Sequence, residues 1–235
     1  MSYAETLRFR SLPYRASITQ PIHVKVSNLV IAGWTGRDQA EIEKHIQELE
    51  AIGVARPKST PRFYRVSADR LTMQPSVDVI GQDSTGETEF VLLNCENTLY
   101  VGLGSDHTDR KAETFGVTLS KQLCPKPIAA ELWRLEDVEP HWDELILRCR
   151  ARVDGKDLLY QEGSVTALRH PTNLLEAYVR DTQQQFGPGT CIFCGTLAAK
   201  NKITWAESFH LELEDPVLKR KLIHDYDLRV LPINE

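Results

Sequence analysis

Gly86-Glu87-Thr88-Glu89-Phe90-Val91-Leu92-Leu93 opens the stretch that decides the fold of this chain. It continues through Asn94-Cys95-Glu96-Asn97 into Thr98-Leu99-Tyr100-Val101-Gly102-Leu103, then Gly104-Ser105-Asp106-His107-Thr108-Asp109-Arg110. Phe90–Leu93 and Leu99–Leu103 are rich in branched and aromatic residues and are separated by turn formers, which predicts two adjacent strands. Glu87 and Glu89 stand two apart, so in an extended strand their carboxylates share a face. Gly104 and Ser105 then let the backbone turn and present Asp106. Three carboxylates at neighbouring strand ends suit a hard divalent cation, which takes oxygen ligands. The same pattern also fits the solvated face of an edge strand, with Asp106 as a turn residue.

At 235 residues the chain is long enough for one large domain or for a domain with an N-terminal extension. Its 41% hydrophobic and 26% charged content is that of a globular protein. A net charge of −5 gives no electrostatic reason to expect nucleic acid or an anionic membrane as partner. Met1–Ser11 has no apolar core of signal-peptide length, and no later run reaches the ~20 apolar residues of a membrane span. The five cysteines form no disulfide framework, which points to a reducing, cytoplasmic compartment. Cys191-Ile192-Phe193-Cys194 lies in an apolar strand and reads as a pair of buried structural thiols.

Working outward, Thr6–Phe9 and Ile22–Ala32 read as strands, and Gly33–Arg37 as a turn. Asp38 begins a helix that runs to about Gly53, with Ile42, Ile46, Leu49 and Ile52 at helical spacing. His45 and Glu48 lie three apart on it, neighbours on one face and by themselves an ordinary surface pair. Lys121 and the Pro-rich apolar stretch after it read as a loop over the core, and Leu132–Pro140 as a loop or short helical passage. Leu145–Val153 alternates and turns at Asp154-Gly155 into Lys156–Gln161, a hairpin. Thr172–Gln184 reads as a helix capped by Thr172 or Asn173. Phe186-Gly187-Pro188-Gly189 breaks the chain before a strand ending at Gly195-Thr196. His210–Leu213 and Leu228–Leu231 read as closing strands with a short helix over Val217–Ile223 between them. His107, His170, His210 and His224 have no partner spacing and read as structural.

Taken together, Glu87-Thr88-Glu89-Phe90-Val91-Leu92-Leu93 and Gly104-Ser105-Asp106-His107-Thr108-Asp109-Arg110 resemble the signature of the fumarylacetoacetate hydrolase (FAH-like) family. Its pattern is an E-x-E strand followed by an aspartate in a segment ending in arginine. Ser105 and Asp109 depart from the family's Asn and Ala, which marks a remote branch. The resemblance implies that Glu87, Glu89 and Asp106 are ligands of a divalent metal ion, Mg²⁺ or Mn²⁺, with Ca²⁺ a further candidate. His45-Ile46-Gln47-Glu48-Leu49 with Pro57, Pro61 and Phe63 is similar to the family's lid segment, in which a histidine–glutamate pair activates water. Lys121 matches the family's lysine facing metal and substrate, and Glu113 stands where several relatives have glutamine. Gly195-Thr196 is similar to the family's Gly-Thr loop, with Leu197 replacing the usual proline.

The fold implied is α/β, mixed and β-rich: a rolled β-sandwich with a few flanking helices, usually dimeric. Residues 1–80 would supply N-terminal strands and the helical lid, and 81–235 the metal-binding core, unless the two form one continuous domain. The catalytic set implied is His45, Glu48 and Lys121, and the substrate-binding set Arg110, Gly195 and Thr196. The chemistry implied is metal-dependent hydrolysis of a C–C bond in a small 2-oxo or 2,4-dioxo acid. The alternatives are a decarboxylase, dehydratase or tautomerase on the same fold, or a noncatalytic small-molecule binding protein, which the departures at Asp109, Glu113 and Leu197 would suit. The partners expected are a small oxo acid and a second copy of the chain, a homodimer, with neither nucleic acid nor membrane.

Overall fold

A computed structural model describes residues 6–14, 20–50, 56–57, 59–200 and 205–233. The chain begins with strands β1 (Thr6–Ser11), β2 (Gln20–Lys25) and β3 (Asn28–Gly33), helix α1 (Gln39–Glu50) and strand β4 (Arg62–Val66). Short strands β5 (Leu71–Thr72), β6 (Ser76–Ile80) and β7 (Ser84–Thr85) lead into the long hairpin of β8 (Thr88–Cys95) and β9 (Thr98–Ser105). Then come β10 (Thr108–Asp109), helices α2 (Arg110–Glu113) and α3 (Val117–Leu123), β11 (Lys126–Pro127), β12 (Glu131–Arg134) and α4 (Leu135–Val138). The chain closes with β13 (Ile146–Val153), β14 (Lys156–Ser164), α5 (Pro171–Thr182), β15 (Thr190–Thr196), β16 (Ser208–Asp215) and β17 (Arg220–Leu231).

Two sheets carry the structure. The larger has eight strands in the order β2-β1-β12-β9-β8-β15-β3-β4, and the smaller five in the order β14-β13-β16-β17-β6. Strands from before and after residue 81 are woven into both. The hairpin of β8 and β9 sits at the centre of the large sheet. It turns at Glu96 and Asn97, whose φ values of 50° and 68° are those of the two-residue turn that matches strand twist. Strand β8 is buried on both faces: Phe90 and Leu92 join the core between the sheets, Val91 and Leu93 the core on the far side. That two-residue period makes the Phe90–Leu93 run continuously apolar, as expected of a central strand. Each such side chain contributes about 1.5–3 kcal/mol by leaving water.

The structure departs from the expected elements in five places. The run from Ile22 to Ala32 is two strands, because the Ser27 and Asn28 amides turn to the Gly189 carbonyl and β3 then pairs with β15. Lys121 lies on α3 rather than in a loop. Glu131–Arg134 is a strand between β1 and β9. Helix α5 begins one residue earlier, with the His170 ring accepting the Thr172 amide as cap. Val217–Ile223 is not helical: a turn with Lys219 at φ 53° feeds β17, where Leu222 is buried and its neighbours face out. Helix α1 is capped by the Asp38 carboxylate, which accepts the Ala40 amide at 2.8 Å, and Ile42 and Ile46 are buried as its spacing predicts. Ile52, Gly53 and the side chains of His45, Glu48 and Leu49 lie outside the described residues.

Candidate metal centre

The centre of the large sheet delivers three carboxylates to one point. Glu87 immediately precedes β8, Glu89 lies on it, and Asp106 follows the last residue of β9. Register sets their approach: Thr88 pairs with Ser105 and Glu89 with Gly104, and the Asp106 amide donates to the Glu87 carbonyl at 3.0 Å. One oxygen from each of Glu87, Glu89 and Asp106 lies within 4.8 Å of the others, the one such group among the described residues. Asp106 is 1% exposed and Glu89 2%. At an effective dielectric of about 20, two full charges at that separation repel by roughly 3 kcal/mol, so the cluster requires counter-charge.

Three cations supply part of it. Lys121 reaches from α3 to contact Asp106 Oδ2 and comes within 3.8 Å of Glu87 Oε2. Lys126 is completely buried on β11, donates to the His107 carbonyl at 2.6 Å and stands 3.2 Å from Asp106 Oδ1. Arg110 bridges Glu87 Oε1 at 2.9 Å and Glu113 Oε2 at 3.0 Å, with its Nε donating to Thr85 Oγ1. Burial opposes ionisation of Asp106, but Lys121 and Lys126 outweigh it and bring its carboxyl down to about 2. Burial likewise opposes the charge on Lys121, yet Asp106 and Glu87 raise its pKa. Burial lowers Lys126, with Asp106 pulling the other way. Glu89 fares worst. Burial and the charges of Asp106 and Glu87 push its carboxyl well above the ordinary range, while the Gly195 amide at 2.7 Å holds Oε2.

These features fit a divalent cation. The donors are hard oxygens, the cluster is over-rich in negative charge at Glu89, and Asp106 Oδ1 makes no well-directed hydrogen bond despite the nearby Lys126 ammonium. An ion there would draw one ligand from each of Glu87, Glu89 and Asp106.

Of the other residues singled out by the sequence, Lys121 and Arg110 are at the cluster. Gly195 and Thr196 are beside it, facing inward. The Gly195 amide is taken by Glu89, and the Thr196 hydroxyl donates to the Thr88 carbonyl and receives the Gln161 amide. Neither donor is turned to a ligand. Gly195 has φ +99°, and a β-carbon there would stand 1.7 Å from Thr35 Oγ1, so only glycine lets the Thr35 side chain close over it. Asp109 caps α2 by accepting the Ala112 amide at 2.7 Å, which accounts for an aspartate there. His107 is not a ligand, since its Nδ1 pairs with the Tyr226 hydroxyl and its Nε2 with Ser84 Oγ; burial, with Lys126 and Arg110 nearby, lowers its pKa to about 3. His45 and Glu48 are on α1, and their side chains are not among those described.

Sequence reasoning missed Lys126. The signal was available: a lone lysine inside Cys124-Pro125-Lys126-Pro127-Ile128-Ala129 must either reach water or find an acid, and here it finds Asp106.

Residues 32–226 match the profile of a family described as "Protein of unknown function (DUF2848)". The chain belongs to the DUF2848 family. No curated protein matches it. Among solved structures, this DUF2848 protein is similar to a 2-keto-3-deoxyarabinonate dehydratase, with a TM-score of 0.62 and 12% identity over 92% of this chain and 79% of that one. It is similar to 2-hydroxyhepta-2,4-diene-1,7-dioate isomerase from Mycobacterium marinum, with a TM-score of 0.55 and 13% identity over 94% and 83%. The 4-oxalocrotonate decarboxylase from Pseudomonas putida G7, complexed with magnesium and adipate, gives a TM-score of 0.55 and 14% identity over 86% and 77%. At these identities the likeness is one of fold. The DUF2848 chain has the FAH-like, β-rich α/β architecture. Among the described residues no helix is long and apolar enough to cross a membrane.

Proposed function

We propose that this DUF2848 protein is a divalent-metal-dependent enzyme that converts a small 2-oxo acid through its enolate, as a lyase or isomerase. The observation that carries the reading is the convergence of Glu87, Glu89 and Asp106 within 4.8 Å, with the Lys121 ammonium among them. Supporting it, a dehydratase of the same fold was crystallised with magnesium and 2,5-dioxopentanoate, and a decarboxylase with magnesium and adipate. When bound, the ion would act as a Lewis acid on the keto oxygen and stabilise developing enolate charge. Lys121, its pKa raised by Asp106 and Glu87, stays protonated; it is a donor to a substrate carboxylate and not a base. Arg110 is engaged by Glu87, Glu113 and Thr85, so it fixes the Glu87 carboxylate.

Hydrolytic C–C cleavage needs in addition a group that activates water, and His45 with Glu48 on α1 is the pair the sequence offers. The protein would work in the cytoplasm as a homodimer; its five free cysteines suit a reducing compartment. The test is to supply purified protein with Mg²⁺ or Mn²⁺ and a panel of 2-oxo acids: acylpyruvates, 2-keto-3-deoxy sugar acids and unsaturated oxo diacids. Metal-dependent consumption, abolished by chelation and by Glu89→Gln, is expected. Acylpyruvate cleavage lowered about two to four orders of magnitude by His45→Ala would assign hydrolysis. No consumption of any of them with either metal would overturn the reading.

A further inference from the structure

Behind the carboxylates runs a chain of buried hydroxyls and one imidazole. Tyr226, on β17 of the smaller sheet, is 1% exposed and sends its hydroxyl across to the larger one, where it donates to Ser105 Oγ at 2.9 Å. The same Ser105 oxygen accepts the backbone N–H of Glu87 at 3.1 Å. On its other side the Tyr226 hydroxyl lies 3.1 Å from His107 Nδ1, and His107 Nε2 lies 3.0 Å from Ser84 Oγ. With the phenol donating to Ser105, the ring carries its proton on Nδ1 and Ser84 donates to Nε2. Ser105 and His107 flank Asp106 in sequence, so one hydroxyl grips both sides of that ligand. It also seats the segment entering Glu87, since a β-carbon on Gly86 would stand 2.7 Å from the Tyr226 hydroxyl and 3.0 Å from the Phe209 ring.

We propose that Tyr226 is a positioning residue of the metal site, its hydroxyl setting the spacing between the Glu87 and Asp106 carboxylates. This rests on the reading of the cluster as a metal site. A buried tyrosine hydroxyl that only satisfied packing would touch any neighbouring polar atom; this one touches the residues on either side of one ligand and, through Ser105, the backbone of another. Tyr178 provides the comparison. It is equally buried, on α5, and its hydroxyl accepts from Asn28 on β3 and donates to Gln184 in the loop after the helix.

The experiment is Mn²⁺ titration of the full chain followed by electron paramagnetic resonance, for the wild type, Tyr226→Phe and Tyr178→Phe, with thermal melting measured alongside. Tyr226→Phe is expected to weaken Mn²⁺ binding by about 10- to 100-fold, the usual cost of removing a group that orients metal ligands, and to change the spectrum of bound Mn²⁺. Tyr178→Phe should lose melting temperature by a similar amount while keeping wild-type affinity and spectrum. Should Tyr226→Phe fail to fold, Ser105→Ala removes the same link and carries the same expectation. Binding by Tyr226→Phe within about threefold of wild type, with an unchanged spectrum, overturns the proposal, as does equal weakening in Tyr178→Phe. A wild type that binds no Mn²⁺ instead sinks the metal reading itself, and this proposal with it.

Discussion

Two charge clusters in this molecule have the same inventory and opposite characters. On the outer face of the smaller sheet, Glu162, Glu212 and Glu214 meet Arg148, Lys200 and Lys221. At the centre of the larger sheet, Glu87, Glu89 and Asp106 meet Arg110, Lys121 and Lys126. In the outer cluster cross-strand register does the pairing: Arg148 lies opposite Glu162 and Glu212, and Lys221 opposite Glu214, so every carboxylate has a cation in reach. In the inner cluster Asp106 takes two lysines, Glu87 takes Arg110 and Lys121, and Glu89 has no ion-pair partner of its own among the described residues. Among the described residues its one hydrogen bond is from the Gly195 amide. Charge count therefore does not distinguish a structural network from a site. What distinguishes them is where the charge is left unbalanced, and how little water reaches it.

The sharpest way to break the comparison is Glu89→Gln against Glu212→Gln. The first should lower Mn²⁺ affinity by more than about 100-fold, since it removes a ligand outright and not merely a group that orients one. It should also stabilise the metal-free protein by about 1 kcal/mol in urea unfolding, because a buried, repelled carboxylate is replaced by an amide that still accepts from Gly195. Glu212→Gln should leave metal binding untouched. A Glu89→Gln protein that binds Mn²⁺ as wild type would show that the inner cluster is structural too. Asp106→Asn strands two buried ammonium groups and should cost about 3–5 kcal/mol in the same assay. A loss below 1 kcal/mol would mean the lysines find other partners.

The part of this legible in the sequence was the part encoded over short separations. Glu87, Glu89 and Asp106 lie on one hairpin, so strand period and a two-residue turn sufficed to bring them together. Lys121 was expected beside the carboxylates but placed in a loop, because the short helix carrying it shows too little periodicity to read. Lys126 had a local signal that was passed over, whereas Thr35 and Tyr226 come from segments whose distance in sequence no local pattern bridges. The same limit explains the misread elements: the break in the Ile22–Ala32 run is made by Gly189, far along the chain, and Glu131–Arg134 is a strand only because β1 and β9 stand on either side. Departures from the family pattern at Asp109 and Glu113 were visible, but their meaning was not. One caps α2 and the other holds Arg110.

Acid separates two carboxylates within the inner cluster. The folded-state pKa of Asp106 is lowered from 3.8 to about 2, so its contribution to stability is complete above its ordinary value and is lost as pH falls towards 2. Glu89 has the opposite sign. Its raised pKa means that stability declines as pH rises from 4.5 through that raised value, and that Mn²⁺, competing with its proton, binds more tightly over the same window. Mn²⁺ titrations from pH 5 upward should therefore show affinity climbing with pH. A flat profile would place Glu89 outside the ligand set.

The smallest effect belongs to the outer cluster, and its smallness is the point. Arg148 carries three carboxylates and is 25% exposed. Replacing it with methionine keeps the aliphatic stem lying along the strand while removing the charge. Glu162 and Glu212 keep Lys200 and Lys221 as partners, at 3.2 and 3.1 Å, and water reaches all of them. Arg148→Met should therefore cost about 1 kcal/mol or less at low ionic strength, the scale of ion pairs that remain hydrated. In 1 M salt, where the Debye length is about 3 Å, the difference from wild type should shrink towards zero. Salt should do much less to Asp106→Asn, whose stranded lysines are out of reach of counter-ions. Unfolding both variants at the two salt concentrations reads the contrast directly. If Arg148→Met proved as costly as Asp106→Asn and as indifferent to salt, the outer network would be a buried keystone of the smaller sheet, and solvent access would no longer separate the two clusters.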